Sequence, residues 1–257
     1  MEIISDSVWN VIKDCFPVKK SSVGRPPLDK KLVLEGIIFI MNSGAQWRLM
    51  PKKYGSKSAV HATFRLWIKE KIFEKIMNIA RAEYLKSQSE DWQWFATDTS
   101  FSKAPLASIW SGKNPTDRGR QGIKKSVIVD KNGAPLAVYV GPANAHDSKY
   151  LFDTINELNK VFVTPAILVA DSAYDTKKLR KKCTKLNIVL LASTNKRNDK
   201  NRQNFKSKGR WIVEQFFGII HWKRGLKICW AKTLESFLSF LQLAAAERLF
   251  RLARISG

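Results

Sequence analysis

Apolar residues recur along this chain at two periods, and the change from one to the other divides it. Over residues 7–16, Val8, Val11, Ile12 and Cys15 share one helical face. The stripe Leu32, Val33, Gly36, Ile37 and Ile40 predicts a second helix, capped by Asp29 and stopped at Ser43-Gly44. Val60, Phe64, Trp67 and Ile68 predict a third, and Ile72, Ile76, Ile79 and Ala80 a fourth running towards Leu85. After the polar stretch 86–91 the apolar runs shorten. Residues 92–97, 126–129, 136–140, 166–170 and 188–191 read as strands, with a hairpin signal at Asn132-Gly133. Helices are expected over 148–158 and 176–187, around Glu214, and over 234–253, the last apolar on most sides. Residues 103–122 and 196–208 read as loops, and no internal repeat is present.

The run Ala166-Ile167-Leu168-Val169-Ala170, bounded by Pro165 and a polar turn, predicts a strand buried on both faces. Asp171 then stands where that strand ends, the place where ligand chemistry collects in open α/β sheets. A turn-and-cap role for Asp171 and Asp175 accounts for the same two residues. Asp98 repeats the setting at the end of the 92–97 strand. Glu214 lies on a helix where Ile212, Val213, Phe216, Ile219 and Ile220 form the apolar stripe. Arg210, Glu214, Phe217 and His221 share another face of it. Glu214 is there either the third member of an acid cluster or the salt-bridge partner of Arg210 one turn earlier.

Three such acids suggest a divalent-metal site for Mg²⁺ (or Mn²⁺), two ions per active site. These ions take a few carboxylates and leave room for substrate phosphate, and a pair of them can stabilise both oxygens of an in-line phosphoryl displacement. Clustered carboxylates otherwise raise one another's pKa, an effect that a bound cation reverses. His146 is a lone histidine without ligand partners, and Asp147 reads as the N-cap of the 148–158 helix.

These acids sit in recognisable surroundings: Asp98 in Thr-Asp-Thr-Ser, Asp171 in Ala-Asp-Ser-Ala-Tyr-Asp, and Glu214 in Arg210-x-x-x-Glu214. With Gly24–Asp29, Ser43–Pro51, Asn114–Gly119, Gly122–Lys125 and Ala143–Asp147, they resemble, in order and over nearly the whole chain, the DDE transposases of bacterial insertion sequences, specifically the insertion-sequence-five group. The resemblance implies an α/β fold with a ribonuclease-H-like catalytic core preceded by a small all-helical domain. It implies that Asp98, Asp171 and Glu214 are the catalytic, metal-holding triad. Two positions depart from the wider group: its Tyr three residues before the Arg is Ser207 here, and its Lys seven residues after the Glu is His221. Both departures bear on how the group grips its DNA ends.

The charge balance points to the same partner independently. Lys and Arg number 45 against 22 acids, a formal net charge of +23, and such an excess favours a polyanion, nucleic acid first. A membrane surface comes second, but no apolar run approaches the roughly 20 residues of a spanning helix. The opening residues do not read as a signal peptide. Cys15, Cys183 and Cys229 lack metal or disulfide spacing and read as buried thiols of a cytoplasmic protein, nucleoid-associated when bound. Residues 1–88 are expected to form a helical, helix-turn-helix-like DNA-binding domain presenting Arg65 and Lys69, and residues 89–257 the catalytic domain. The same helices could equally brace the core or dimerise. Arg118, Arg120, Lys124, Arg210, His221, Lys223 and Arg224 are further candidate contacts to double-stranded DNA, namely terminal inverted repeats and target, held by a homodimer. Three readings stay open: a transposase, a ribonuclease-H-like nuclease without strand transfer, and a transposase-derived protein that only binds DNA.

Overall fold

The computed structural model describes residues 3–18, 26, 28–88, 94–106, 109–115, 117–159, 166–195, 205 and 208–255. Gly24, Arg25 and Pro27 of the first motif, Trp92, Gln93, Thr116, Ser207 and most of the 196–208 loop lie outside them. In chain order the elements are helices α1 (Asp6–Ile12), α2 (Lys30–Ser43), α3 (Lys57–Lys69) and α4 (Ile72–Lys86), then strands β1 (Trp94–Lys103), β2 (Gly112–Asn114), β3 (Arg120–Asp130) and β4 (Pro135–Pro142). There follow α5 (Leu151–Asn159), β5 (Ala166–Ala170), α6 (Lys177–Lys185), β6 (Ile188–Ala192), α7 (Trp211–His221), α8 (Arg224–Lys227) and α9 (Leu234–Leu252). They form two compact units, residues 1–88 with 221–257, and residues 89–220.

In the helical unit, the Asp29 carboxylate caps α2 by accepting from Leu32 N at 3.0 Å, and Gly44 ends it at φ +65°. α9 packs along α4 and also meets α3 and α8. Phe240 of α9 stacks on Phe64 of α3 with ring centroids 5.2 Å apart. Residues 221–257 form one compact unit with the first helices, although the expected division groups them with residues 89–220. A helix that is apolar on most sides needs partners all round, and nothing in its own pattern says which. Among the described residues, no helix is long and apolar enough to cross a membrane. Cys183 and Cys229 are buried and Cys15 half-buried, all free thiols.

The second unit is a mixed sheet. β3 runs antiparallel to β1 on one side, and on the other to β4 and, at residues 120–122, to β2. β5 lies parallel to both β1 and β6, giving the path β2-β3-β1-β5-β6. Hairpin strands, then strand–helix–strand, then a helix carrying the Glu, is the ribonuclease-H-like layout. Gly122 of the fourth motif is required by close approach: a Cβ there would lie 2.4 Å from the carbonyl oxygen of Ser102.

Local expectations needed revision at four places. β1 continues to Lys103, so Asp98 lies within a strand and not at its end. Its polar second half, Thr99–Lys103, is held by the ladder to Ser126–Gly122, a tertiary pairing that an apolar pattern cannot reveal. The expected 103–122 loop contains β2 and the start of β3. Ile167 is 39% exposed, so β5 is not covered on both faces along its whole length. Finally, Asp147 is not the cap: the His146 ring nitrogen accepts from Ser148 N, a single turn over Asp147–Lys149 intervenes, and α5 begins at Leu151.

Candidate active site

Three elements of the sheet unit bring the acids together. The parallel pairing of β1 with β5 runs over Trp94–Ala96 and Ile167–Val169. Asp98 and Asp171 thus both lie just beyond the parallel-paired segment, Asp98 inside β1, which runs on along β3, and Asp171 at the carboxyl end of β5. Thr99 N donates to Asp98 Oδ1 at 2.8 Å. Asp171 spends Oδ1 on the turn, accepting from Ala173 N at 2.6 Å, which is the turn-and-cap role read from sequence. Its Oδ2 is left for other partners.

The third element is the start of α7. Gly209, at φ +89°, passes so close to Trp94 of β1 that a Cβ would sit 2.5 Å from the indole ring. Arg210 follows directly. Its guanidinium lies 2.9 Å from Glu214 Oε1, 3.5 Å from Asp171 Oδ2 and 3.8 Å from Asp98 Oδ2. The expected Arg210–Glu214 pair exists, and the same cation also reaches the other two acids. Arg210, a candidate DNA contact by sequence, is thus the centre of the acid cluster. Burial opposes its charge, but the Glu214 hydrogen bond and the two Asp carboxylates raise its pKa above the ordinary value.

Burial pushes the Asp98 carboxyl up from 3.8 to about 6; Arg210 and the Thr99 amide pull the other way, and Asp171 and Asp147 add to the rise. Beneath the acids lies Tyr174, fully buried, its hydroxyl without a well-formed hydrogen bond. Burial, then the charges of Asp98, Asp147 and Asp171, keep that phenol protonated. Asp175, just beyond, is 2% exposed and tied at Oδ1 to Arg180 Nη2 (2.6 Å) and Nε (3.1 Å). Its Oδ2 accepts from Asn195 N at 2.8 Å, and Arg180 Nη1 donates to Leu190 O at 2.8 Å. This clamp fixes the Asp171 loop to the end of β6.

The other candidates divide. Arg65 and Lys69 are exposed on α3, Arg118 and Arg120 on the turn into β3, His221 at the end of α7 and Arg224 at the start of α8. Arg118 takes φ +52°, and Arg120 lies 3.6 Å from Asp117. Two candidate contacts are corrected by their burial. Lys124 is spent on Asp147 and the Ala145 carbonyl, both at 2.8 Å. Lys223 is spent on Glu247 (2.5 Å) and Asn42 (3.0 Å). A lysine in an alternating strand or at a helix junction carries no sequence sign of facing inward.

Among the described residues, no group of three or more His, Cys, Asp or Glu side chains is already spaced to hold a metal ion. The chemistry of the donors nonetheless fits one: three carboxylates converge on a single cationic group, and one has its charge disfavoured by burial.

A stability test follows from Asp98. A carboxyl raised to about 6 contributes stability that is complete below 3.8 and lost as pH rises through about 6. Asp98→Asn removes that loss. Between pH 4 and 7 the metal-free variant should gain on wild type by at most about 3 kcal/mol, reduced by solvent screening of a side chain that is 19% exposed. Thermal melts at the two pH values check it; a gap that does not widen means Asp98 is not held in a low-dielectric site.

Residues 93–246 match the family described as "Transposase DDE domain". The chain belongs to the DDE transposase family, whose membership implies use of a divalent metal. Residues 4–77, outside that match, are similar to a second family, "Putative transposase of IS4/5 family". Similar proteins include "Putative transposase for insertion sequence element IS402" from Burkholderia cepacia, 29% identical over 140 residues, covering 52% of this chain and 65% of that one. The transposase for insertion sequence element IS1106 from Neisseria meningitidis serogroup B is 30% identical over 40% of this chain and 36% of its own. Among solved structures, a piggyBac transposase synaptic complex with hairpin DNA aligns over 95% of this chain and 71% of its own, with TM-score 0.45 and 9% identity.

Proposed function

We propose that this chain binds the ends of an insertion sequence, cuts there, and joins the freed 3′-hydroxyl to target DNA by metal-dependent phosphoryl transfer. The carrying observation is the convergence of Asp98, Asp171 and Glu214, from three separate elements, on Arg210. Two bound Mg²⁺ or Mn²⁺ ions would supply the charge that stabilises the attacking and leaving oxygens. Asp98 from within β1 and Asp171 from the end of β5 would hold them, with Glu214 completing the set from α7. In the metal-free chain Arg210 neutralises the acids; with the acids engaged, its guanidinium is released towards the DNA phosphate. The buried Tyr174 and the Asp175–Arg180 clamp keep the Asp171 loop in place.

Arg65 and Lys69 are assigned to the element ends, Arg118, Arg120, His221 and Arg224 to the phosphate backbone, and the active assembly to a homodimer on DNA. End recognition must be measured on the full chain, because a fragment stopping near Ser87 would lose Phe240 and the rest of α9 from its core. Arg65→Gln with Lys69→Gln should lower the preference for end DNA over scrambled duplex about tenfold or more, the size of one lost base contact. An unchanged preference would move recognition off α3.

The test of the reaction is product analysis on the full chain with element-end DNA and a target plasmid. Joined DNA is the expected product. Cut ends without joining would make the chain a nuclease, and binding without cutting would make it a DNA-binding derivative.

A further inference from the structure

Helix α6, Lys-Lys-Leu-Arg-Lys-Lys-Cys-Thr-Lys, carries six cations and no acid. Leu179 and Cys183 are buried, and α6 packs on the edge strand β6. Arg180 is used internally, on Asp175 and two β6 carbonyls. The other five, Lys177, Lys178, Lys181, Lys182 and Lys185, are all exposed. At 3.6 residues per turn they fall within one arc of about 140°, opposite the buried side. Among the described residues, none of the five is paired with a carboxylate; Lys182 alone has a recorded partner, the Phe152 ring 4.8 Å away.

An isolated helix would not choose this arrangement. Lys177–Lys181, Lys178–Lys182 and Lys181–Lys185 are like-charge pairs one turn apart, each of which destabilises a helix. A solvated face is normally interspersed with acids, as α4 is by Glu74 and Glu83. A one-sign face that costs helix stability is matched to an anion of repeating charge. The five ammonium groups span about 12 Å of helix axis. A duplex carries one charge per about 1.7 Å, so about seven phosphates lie within that length.

We infer that the lysine face of α6 is a duplex-DNA backbone site of the sheet unit, sequence-independent and separate from the end-reading residues of α3. The choice of duplex DNA over other polyanions rests on the transposase reading. α6 begins at Lys177, directly after the clamped Asp171 loop, so DNA held on this face continues towards the acid cluster.

The experiment uses full-length chain without divalent metal, so that no cutting is required. Binding of an end-unrelated duplex is measured against salt for wild type, for the five Lys→Gln changes, and for the five Lys→Arg changes. Each lost phosphate contact removes about 0.9 from the log–log slope. The Gln variant should therefore be shallower by about 4.5, the Arg variant within about 1 of wild type, and the preference for end DNA over scrambled DNA unchanged within about twofold. Because repulsion is relieved, the Gln variant should melt no lower than wild type; the milder Lys177→Gln, Lys181→Gln, Lys185→Gln triple should shift the slope by about 2.7. An unchanged slope in both Gln variants overturns the inference, including when the variants instead lose binding to acidic lipid vesicles. A shallower slope in a chain that never cuts or joins DNA would uphold the site and overturn the proposed reaction.

Discussion

Asp98→Ala, Asp171→Ala and Glu214→Ala should each reduce divalent-metal-dependent cutting of element-end DNA by about 10³-fold or more. That is the size expected when several kcal/mol of charge stabilisation is lost from the reacting phosphoryl group. Duplex binding should stay level or tighten, since each change removes a negative charge from a chain of net charge +23. A merely structural role would give the opposite combination, weaker binding with a lowered melting temperature. Glu214 separates the alternatives most cleanly. Its side chain is 55% exposed and its ion pair with Arg210 is a surface pair, so its removal should cost less than about 1 kcal/mol of stability. Any of the three variants that cuts at the wild-type rate is not a metal ligand.

The second large effect lies outside the triad. Asp175→Ala should destabilise the chain by about 3 kcal/mol, the lower end for breaking a buried ion pair, because Arg180 retains 28% exposure. It would also leave the Asn195 amide without its carboxylate acceptor. The melting temperature should fall by roughly 6–12 °C for a chain of this size. Residual folded protein should also cut more slowly by about 10²-fold, since a displacement of about 1 Å in a catalytic group costs that much. Asp175→Asn keeps an acceptor for Asn195 and should recover part of the stability. If Asp175→Ala melts with wild type, the clamp is not what holds the Asp171 loop.

Much of this centre is legible in the residues. An apolar run ending in Asp171 and followed by helical spacing identifies β5, its turn and α6, because burial and capping act locally. The arginine four residues before Glu214 likewise identifies their pair. What is not legible depends on partners distant in sequence. Thr99–Lys103 is a strand only because β3 lies beside it. Asp175 looks like a second turn residue until Arg180 and Asn195 close on it. Lys124 and Lys125 look like surface cations, yet one is bound to Asp147 and the other, fully buried, donates to Ser102. The role of Arg210 is hidden for the same reason. Spacing relates it to Glu214, but only the sheet brings Asp98 and Asp171 within reach. The lysines of α6 are plain in the sequence, yet a run of charge reads as solvated surface until one face is shown to be free of acids.

The central assignment, that Asp98, Asp171 and Glu214 form a divalent-metal centre, is tested most directly by titrating Mn²⁺ into the full chain and reading bound metal calorimetrically, without reference to turnover. Wild type should bind saturably, and Asp98→Asn, Asp171→Asn and Glu214→Gln should each weaken binding by at least about tenfold at pH 7, with Asp175→Asn much closer to wild type. Mn²⁺ affinity equal to wild type in all three of these variants would contradict it.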